Sequence, residues 1–395
     1  MKPCSCAQNG AQLADNNNAM TMRDVTFCID RGGTFTDVYC EYSESGTKMK
    51  MAIKLLSEDP KNYQSAPREG IRRALEIITK ESIPREVKTP TARIKSVRMG
   101  TTVGTNALLE RKGAKVVVVV TRGFKDLLTV GNQARPEIFK LDARRPASLA
   151  ERGIEAEERV RPVRCSTMSG DGEFYYKKGN EVVDVAKVKT NEEIEIVEKL
   201  NVESLRQSLL EAKKDGFTSV AVVLMHSYAY PEHEIMIGEL AEELGFEQIS
   251  LSSALTPMAR AVPRGHTAAV DAYLTPKIKE YVKTFVEGFD DGLMRDVPVL
   301  FMQSDGGMTS ADRFCGYKAI LSGPAGGVVG YARTATEESS SSNPNEEDDE
   351  KIESVIGFDM GGTSTDVSRY DPKQGYEHVT ETVTAGVVVQ CPQLD

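Results

Sequence analysis

A nine-residue pattern of aspartate, glycine and threonine occurs twice in the chain, as D-x-G-G-T-x-T-D-V at residues 30–38 and again at residues 359–367. Two adjacent glycines allow the backbone to approach a bulky anion and to turn its N–H groups toward it. The threonine hydroxyls add further donors. The pattern therefore predicts two phosphate-binding loops, which together suit a triphosphate held from both sides. The predicted phosphate contacts are Gly32, Gly33, Thr34 and Thr36 in the first copy and Gly361, Gly362, Thr363 and Thr365 in the second.

The first aspartate of each copy can serve a metal ion. Asp30 and Asp359 stand between an apolar segment and the glycine turn. We expect them to hold Mg²⁺, mostly through water, because Mg²⁺ gives up its bound waters reluctantly. The second aspartates, Asp37 and Asp366, fit a turn-stabilising role equally well, so their role stays open.

A structural explanation of the pattern is that each copy only shapes an ordinary β-hairpin. Recurrence of all the shared positions more than 300 residues later favours phosphate binding by the pair. The pattern is not a Walker A loop, because no lysine follows the glycines. The glycine-rich segment 323–330 is not a dinucleotide-binding fingerprint, because its first two glycines are three residues apart rather than two.

The segments around each copy predict the elements that position the loops. Residues 25–29, 36–42 and 48–56 read as three strands of a meander around the first copy. Residues 354–358, 365–370 and 376–380 predict the same meander around the second, so the repeat is a supersecondary unit.

Between the copies the pattern alternates strands and helices. We predict helices at residues 67–81, 106–112, 232–244 and 267–288. The last of these helices should be split or kinked at Pro276. Strands are predicted at residues 94–99, 115–121, 218–225, 247–252 and 297–303. Five consecutive valines in residues 115–121 are typical of a strand buried on both faces of a parallel sheet. Residues 150–188 read as more irregular and charged, with a β-rich structure left open. The segments 100–105, 304–307 and 322–330 are expected as loops at the sheet edge that carries the phosphate loops.

Composition excludes several classes of protein. The chain has 395 residues, enough for two or three domains, and a net charge of −10 without a basic stripe, so nucleic acid is not an expected partner. No apolar run is long enough to cross a membrane.

Residues 1–22 lack the apolar core of a signal peptide and predict a disordered leader on a cytoplasmic protein. Seven cysteines without a C-x-x-C pair and four histidines without a ligand spacing argue against a disulfide framework or zinc. The acidic, serine-rich residues 337–352 predict a solvated insertion.

Five segments resemble the signatures of the hydantoinase/5-oxoprolinase branch of the actin-like ATPase superfamily: residues 30–37, 99–112, 120–128, 321–330 and 358–367. Three more, 54–60, 224–228 and 262–268, look most like ATP-dependent 5-oxoprolinases. The resemblance covers residues 24–395. It implies an α/β fold of ribonuclease-H-like, actin-like ATPase lobes with repeated β-hairpin phosphate loops. It also implies a division into an N-terminal domain of the family at residues 23–230 and the start of a hydantoinase-A-type domain at residues 231–395.

The resemblance implies ATP and Mg²⁺ as cofactors and 5-oxo-L-proline as the substrate. Phosphoryl transfer onto the lactam carbonyl would let water open the ring to L-glutamate, a step of glutathione metabolism. Thr101, Thr102 and Asn106 are weak candidates for substrate contacts. A hydantoinase-B-type domain or subunit and a second copy of the chain are the implied partners. An N-methylhydantoinase, a ketone-carboxylase-type subunit and a truncated nucleotide-binding module without its own activity stay open as alternatives.

Overall fold

The computed structural model describes residues 23–131, 139, 147–162, 184–187, 193–341, 354–361 and 365–394. The predicted leader at residues 1–22, residues 342–352 of the predicted insertion, and Gly362 and Thr363 lie outside these ranges.

The strands, in chain order, are β1 Val25–Arg31, β2 Phe35–Glu44, β3 Thr47–Leu56, β4 Ile94–Thr101, β5 Val116–Thr121, β6 Ala150–Ala156, β7 Arg159–Pro162, β8 Asp184–Lys187, β9 Glu193–Glu198, β10 Ser219–Val223, β11 Gln248–Leu251, β12 Val299–Met302, β13 Met308–Ser310, β14 Val355–Met360, β15 Thr365–Tyr370, β16 His378–Val379, β17 Thr382–Thr384, β18 Val387–Val389 and β19 Gln393–Leu394. The helices are α1 Ala66–Thr79, α2 Val103–Leu109, α3 Leu127–Val130, α4 Val202–Lys214, α5 Glu232–Glu243, α6 Ser252–Leu255, α7 Ala261–Glu287, α8 Gly292–Asp296 and α9 Ser322–Ser341, with 3₁₀ turns at Ala311–Arg313 and Gly316–Lys318.

The first copy of the pattern lies in a six-stranded sheet of order β13-β12-β4-β1-β2-β3. Strands β1, β2 and β3 form the predicted antiparallel meander, while β4 runs parallel to β1 and β12 parallel to β4. Alternate residues of β1, Val25, Phe27 and Ile29, are buried in one apolar core with residues of α1 and α7. This meander is therefore anchored by a layer of helices.

The valine-rich strand β5 is central to a parallel sheet of order β11-β10-β5-β6. All six of its residues are buried. Val116, Val118 and Val120 share a core with residues of α7, whereas Val117 and Val119 pack with residues of α4 and α5. The prediction of a strand covered on both faces is confirmed.

Helix α7 connects the cores of the two sheets. Its residues Ala268 and Leu274 belong to the core of the parallel sheet, and Ile278 and Phe285 to that of the six-stranded sheet. The helix begins six residues earlier than predicted and continues through Pro276 as one element. Pro276 therefore does not split the helix, because packing in both cores outweighs the hydrogen bond that proline removes, a cost of about 3 kcal/mol. The alternative, a kink at Pro276, stays a prediction.

The second copy repeats the first as a hairpin but not as a meander. In β14–β15 Asp359 pairs with Asp366, the same register in which Asp30 pairs with Asp37 in β1–β2. The predicted third strand is shorter than expected, and it pairs as β16 with β19 instead of with β15. After β15 the chain makes a turn, which is closed by a bridge between Asp371 and Gly375, and leaves the hairpin. Near its end it contacts the loop at Ser304, where Leu394 N donates to Ser304 O at 2.9 Å.

One glycine-rich segment forms a helix where a loop was predicted. Residues 322–330 are the first turns of α9, which extends through residues 337–341 of the predicted insertion. Small residues here allow α9 to lie close to β4 and β12: Ala325 is buried, and a Cβ on Gly323 would lie 3.0 Å from the Thr102 methyl group. The described part of the chain has no helix long and apolar enough to cross a bilayer.

Gly70 provides a test of the contact between α1 and the first hairpin. A Cβ at Gly70 would lie 2.4 Å from Val38 Cγ2, so Gly70→Ala should lower the free energy of unfolding by about 1–2 kcal/mol despite the better helix propensity of alanine. Gly330 is a matched helical control, since a Cβ added there would have nothing within 4 Å. Gly330→Ala should be neutral or stabilise by up to about 1 kcal/mol. Urea unfolding of both variants gives the comparison, and equal stabilisation by both would contradict the close packing of α1.

Candidate phosphate-binding site

The turn of the first hairpin (β1–β2) is held by its own backbone and by Ser57, which follows β3. Gly32 N donates to Phe35 O at 3.0 Å and closes the turn. Ser57 N donates to Thr34 O at 2.9 Å, and its hydroxyl donates to Gly32 O at 2.7 Å. Gly33 and Thr34 remain exposed at the tip. The turn is thus rigidly supported from below while its outer side is open.

Thr36 does not present its hydroxyl to the open side. Its side chain is buried, and Thr36 Oγ1 hydrogen bonds with Ser57 Oγ at 3.0 Å. Because Thr36 alternates with the exposed Phe35 and Asp37 along β2, its side chain points into the protein. Its role is to support the turn through Ser57, which corrects the expectation of a direct phosphate contact.

Carboxylates converge beside the turn. Burial raises the pKa of Asp30, the charges of Asp37 and Asp359 raise it further, and Lys54 opposes them. Although Asp30 keeps an exposed surface on its open side, protein surrounds the rest of it. Asp37 is paired with Lys54, whose Nζ lies 2.9 Å from Asp37 Oδ1. Asp30 therefore feels the charges of two other carboxylates, an arrangement that can attract a cation.

The charge of Asp359, in the second copy, acts on Asp30 in the first and raises its pKa. Each aspartate lies near the end of the first strand of its hairpin, at the same register in both copies. That the two loops share one cleft stays a prediction. In the second hairpin (β14–β15), Asp359, Gly361 and Thr365 are exposed. The other two predicted phosphate contacts of this copy, Gly362 and Thr363, fall outside the described residues.

Helix α9 holds the second hairpin in this place. At its N-terminal end, Ser322 Oγ donates to Thr101 O at 2.6 Å, at the end of β4. Farther along, Tyr331 OH hydrogen bonds with Ser368 Oγ at 3.1 Å. The Tyr331 ring lies against Gly357, where a Cβ would come within 2.1 Å of the ring. One helix thus spans from the edge of the first sheet to the second hairpin.

Two of the three candidate substrate residues adjoin the first turn. Thr102 N donates to Arg31 O at 3.0 Å, and Asn106 Nδ2 donates to Thr102 Oγ1 at 3.3 Å; both side chains are half-buried. Thr101 is fully buried, and its hydroxyl accepts from Val103 N at 3.2 Å, at the start of α2. We therefore expect substrate contacts from Thr102 and Asn106, with Thr101 as a supporting residue.

Sequence reasoning missed two residues of the site, Ser57 and Tyr281. Ser57 carries only a weak signal, a polar residue directly after an apolar strand. Tyr281 lies on α7, far along the chain, and its hydroxyl donates to Met99 Sδ at 2.8 Å. No local pattern could have identified it.

The described residues contain no group of three or more His, Cys, Asp or Glu side chains that could hold a metal ion. The carboxylates of Asp30 and Asp359 are oxygen donors of the kind Mg²⁺ prefers, and two carboxylates with water are a common way to bind it. The donor set fits a largely hydrated ion.

A match to the hydantoinase/oxoprolinase N-terminal region covers residues 26–245, and a match to hydantoinase/oxoprolinase covers residues 264–395. This chain belongs to the hydantoinase/oxoprolinase family. The predicted division at residue 230 stays a prediction; β12 and β13, beyond that residue, belong to the same sheet as β1–β4.

Curated relatives in this family include three proteins named 5-oxoprolinase. The chain is 53% identical over 369 residues to 5-oxoprolinase 1 of Arabidopsis thaliana, covering 93% of this chain and 27% of that protein. It is 49% identical to the protein from Dictyostelium discoideum, covering 94% and 29%, and 42% identical to that from Saccharomyces cerevisiae, covering 95% and 28%. The chain spans little more than a quarter of the length of these relatives.

Two solved structures share the fold. The nucleotide-free structure of acetone carboxylase superposes with a TM-score of 0.68 at 19% identity, covering 95% of this chain and 48% of that one. The ATP-dependent caprolactamase of Pseudomonas jessenii superposes with a TM-score of 0.66 at 20% identity, covering 94% and 47%. The predicted α/β fold class is confirmed.

The charges at the cleft give a prediction for the titration of Asp30. Because the Asp359 charge raises the pKa of Asp30, Asp359→Asn should lower it; because Lys54 opposes the rise, Lys54→Met should raise it further. Carbon-detected NMR titration of the Asp30 carboxyl measures both shifts. Asp371→Asn, at the far end of the second hairpin, is the control and should leave the titration unchanged. An Asp30 titration that does not respond to Asp359→Asn would mean that the two hairpins do not face each other.

Proposed function

We propose that this chain forms the nucleotide-binding part of an enzyme that hydrolyses the lactam 5-oxo-L-proline to L-glutamate with ATP. The observation that carries the proposal is the matched pair of hairpins, equal in sequence pattern and in strand register, in which the charge of Asp359 acts on Asp30. Identities of 42–53% to proteins named 5-oxoprolinase support the choice of substrate.

ATP, when bound, supplies the phosphoryl group that activates the lactam carbonyl, and Mg²⁺ neutralises phosphate charge. The residues of this chain supply positioning and donors, which are the main demand of phosphoryl transfer. Gly32, Gly33 and Thr34 would donate to the phosphates from the first copy of the pattern, and Gly361, Gly362 and Thr363 from the second. Asp30 and Asp359 would hold the metal ion through water. Thr102 and Asn106 would contact the substrate.

Partner, assembly and location belong to the same proposal. A hydantoinase-B-type domain or subunit is the proposed partner, which agrees with the fraction of the 5-oxoprolinases that this chain spans. Homo-oligomers and a cytoplasmic location are further proposals. A ketone-carboxylase role is less favoured, because identity to the acetophenone carboxylase gamma subunit of Aromatoleum aromaticum is 24%.

The substrate is tested with the chain alone and with a hydantoinase-B-type polypeptide added. We expect ATP-dependent formation of glutamate from 5-oxoproline in the complete assembly, and no ATP-dependent turnover of hydantoin or acetone. A preference for hydantoin or acetone would assign the chain to another enzyme of the family. Nucleotide binding without turnover of any of the three, in every assembly, would favour the non-enzymatic alternative.

The phosphate loops are tested by Gly33→Val and Gly362→Val. A side chain at either position should block the approach of phosphate to the backbone. Each variant should therefore keep the melting temperature of the nucleotide-free chain and lose the rise that Mg-ATP produces in the parent. If the glycines only shape hairpins, the variants will melt lower without nucleotide. A full Mg-ATP-induced rise in both variants would refute the phosphate-binding loops.

A further inference from the structure

Arg31 occupies the boundary between the first hairpin and the end of β4. It is the last residue of β1, directly before the glycine turn, and pairs in register with Thr101 across to β4. Its carbonyl accepts from Thr102 N at 3.0 Å and from Thr102 Oγ1 at 3.3 Å. The backbone of Arg31 is therefore fixed beside the candidate substrate residues.

The side chain of Arg31 is held by an aromatic ring. Its Cζ lies 5.4 Å from the centroid of the Tyr281 ring, a cation–π distance. Tyr281 is itself fixed, since its hydroxyl donates to Met99 Sδ. Burial raises the pKa of Tyr281 to about 12 although the Arg31 charge opposes the rise. The ring therefore stays a neutral platform for the guanidinium.

The charge of Arg31 is available to a ligand. In the described ranges no carboxylate forms an ion pair with its guanidinium, which instead lies over the Tyr281 ring. Asp37, on the neighbouring strand, is taken up by Lys54. A half-buried guanidinium without an ion-pair partner among the described residues, next to a predicted phosphate loop, suits an anionic group better than it suits structural packing.

The two copies differ at this position. The residue equivalent to Arg31 in the second hairpin is Met360, which pairs with Thr365 as Arg31 pairs with Thr36. Met360 is largely exposed. At this position of the pattern the first copy therefore carries a guanidinium and the second a thioether.

We propose that Arg31, Thr102 and Asn106 form the subsite of the phosphoryl acceptor. In this subsite Arg31, whose side chain rests on the Tyr281 ring, binds the phosphoryl group while it is transferred to an amide-carbonyl oxygen. The inference rests on the proposed function and adds the position of the acceptor. In this transfer the bond from the γ-phosphorus to the bridging oxygen breaks, its electron pair leaves with ADP, and a lone pair of the carbonyl oxygen forms the new bond to phosphorus. Charge spreads over the equatorial oxygens, where a preorganised guanidinium is most effective.

The test compares Mg-ADP alone with Mg-ADP plus aluminium fluoride, a mimic of the transferring phosphoryl group, in the presence of 5-oxoproline. Isothermal titration calorimetry of the full chain measures both affinities. Arg31→Met places in the first hairpin the residue that the second hairpin has at the same position. This variant should keep the parent's affinity for Mg-ADP and lose about 100-fold in affinity for the mimic. Arg31→Lys should recover part of this loss, because it keeps the charge without the planar donors.

Tyr281 separates positioning from structure. Tyr281→Phe keeps the ring and should bind the mimic as the parent does, whereas Tyr281→Leu should lose about 10-fold, the size of a partly desolvated cation–π contact. Lys50→Met removes an exposed charge from β3 and serves as the charge-matched control. Melting temperatures of all variants confirm folding.

The outcomes distinguish the subsite from the function. If Arg31→Met binds the mimic as tightly as the parent, or loses Mg-ADP affinity to the same extent, the subsite is overturned. A parent chain that binds Mg-ADP but gains no affinity from aluminium fluoride overturns it as well. A parent chain that binds no nucleotide overturns the proposed function, and the subsite with it.

Discussion

The constraint on which the rest of this structure depends is the gathering of like charge at one sheet edge. Burial raises the pKa of Asp30, the charges of Asp37 and Asp359 raise it further, and the charge of Lys54 opposes the rise. Partial burial adds to the unfavourable energy, because ionised carboxylates lose solvation. Such a site destabilises the fold, so packing elsewhere must offset its cost, and this is the pattern expected where a cation and phosphates bind.

Two helices hold the site in place. One packs in the cores of both large sheets, and the other connects the first sheet to the second hairpin. Helix α7 belongs to the cores of both large sheets and carries Tyr281 to the end of β4. Helix α9 contacts the end of β4 with Ser322 and the second hairpin with Tyr331. Neither hairpin could set its own position relative to the other, since a turn fixes only local register. The distance between the two copies is thus determined by helices that contain no part of the repeated pattern.

The sequence was sufficient where local chemistry decides the outcome. The paired hairpins, the valine strand and the α/β class follow from patterns within short segments, and the structure has all of them. It was insufficient where distant contacts decide: Pro276 stays inside α7 because two cores pack on that helix, and residues 322–330 form a helix because small residues fit against β4. Ser57 and Tyr281 reach the site through tertiary contacts, so no spacing reveals them. Thr36 was misjudged because the buried face of β2, and not the motif, determines where its hydroxyl points.

The two copies also show that an equal pattern does not give equal support. In the first hairpin, Phe27, Ile29 and Val38 are buried under helices within a six-stranded sheet. Their equivalents Ile356, Phe358 and Val367 are 61–70% exposed, on a sheet of two strands. A two-stranded hairpin alone is marginal in water, so the second hairpin relies on its contact with α9, where the Tyr331 ring takes the space that a side chain at position 357 would need. The first hairpin can therefore act as the fixed reference of the site. Arg31, whose place in the second copy is taken by Met360, lies on this rigid side, where preorganisation of a charged group is most effective.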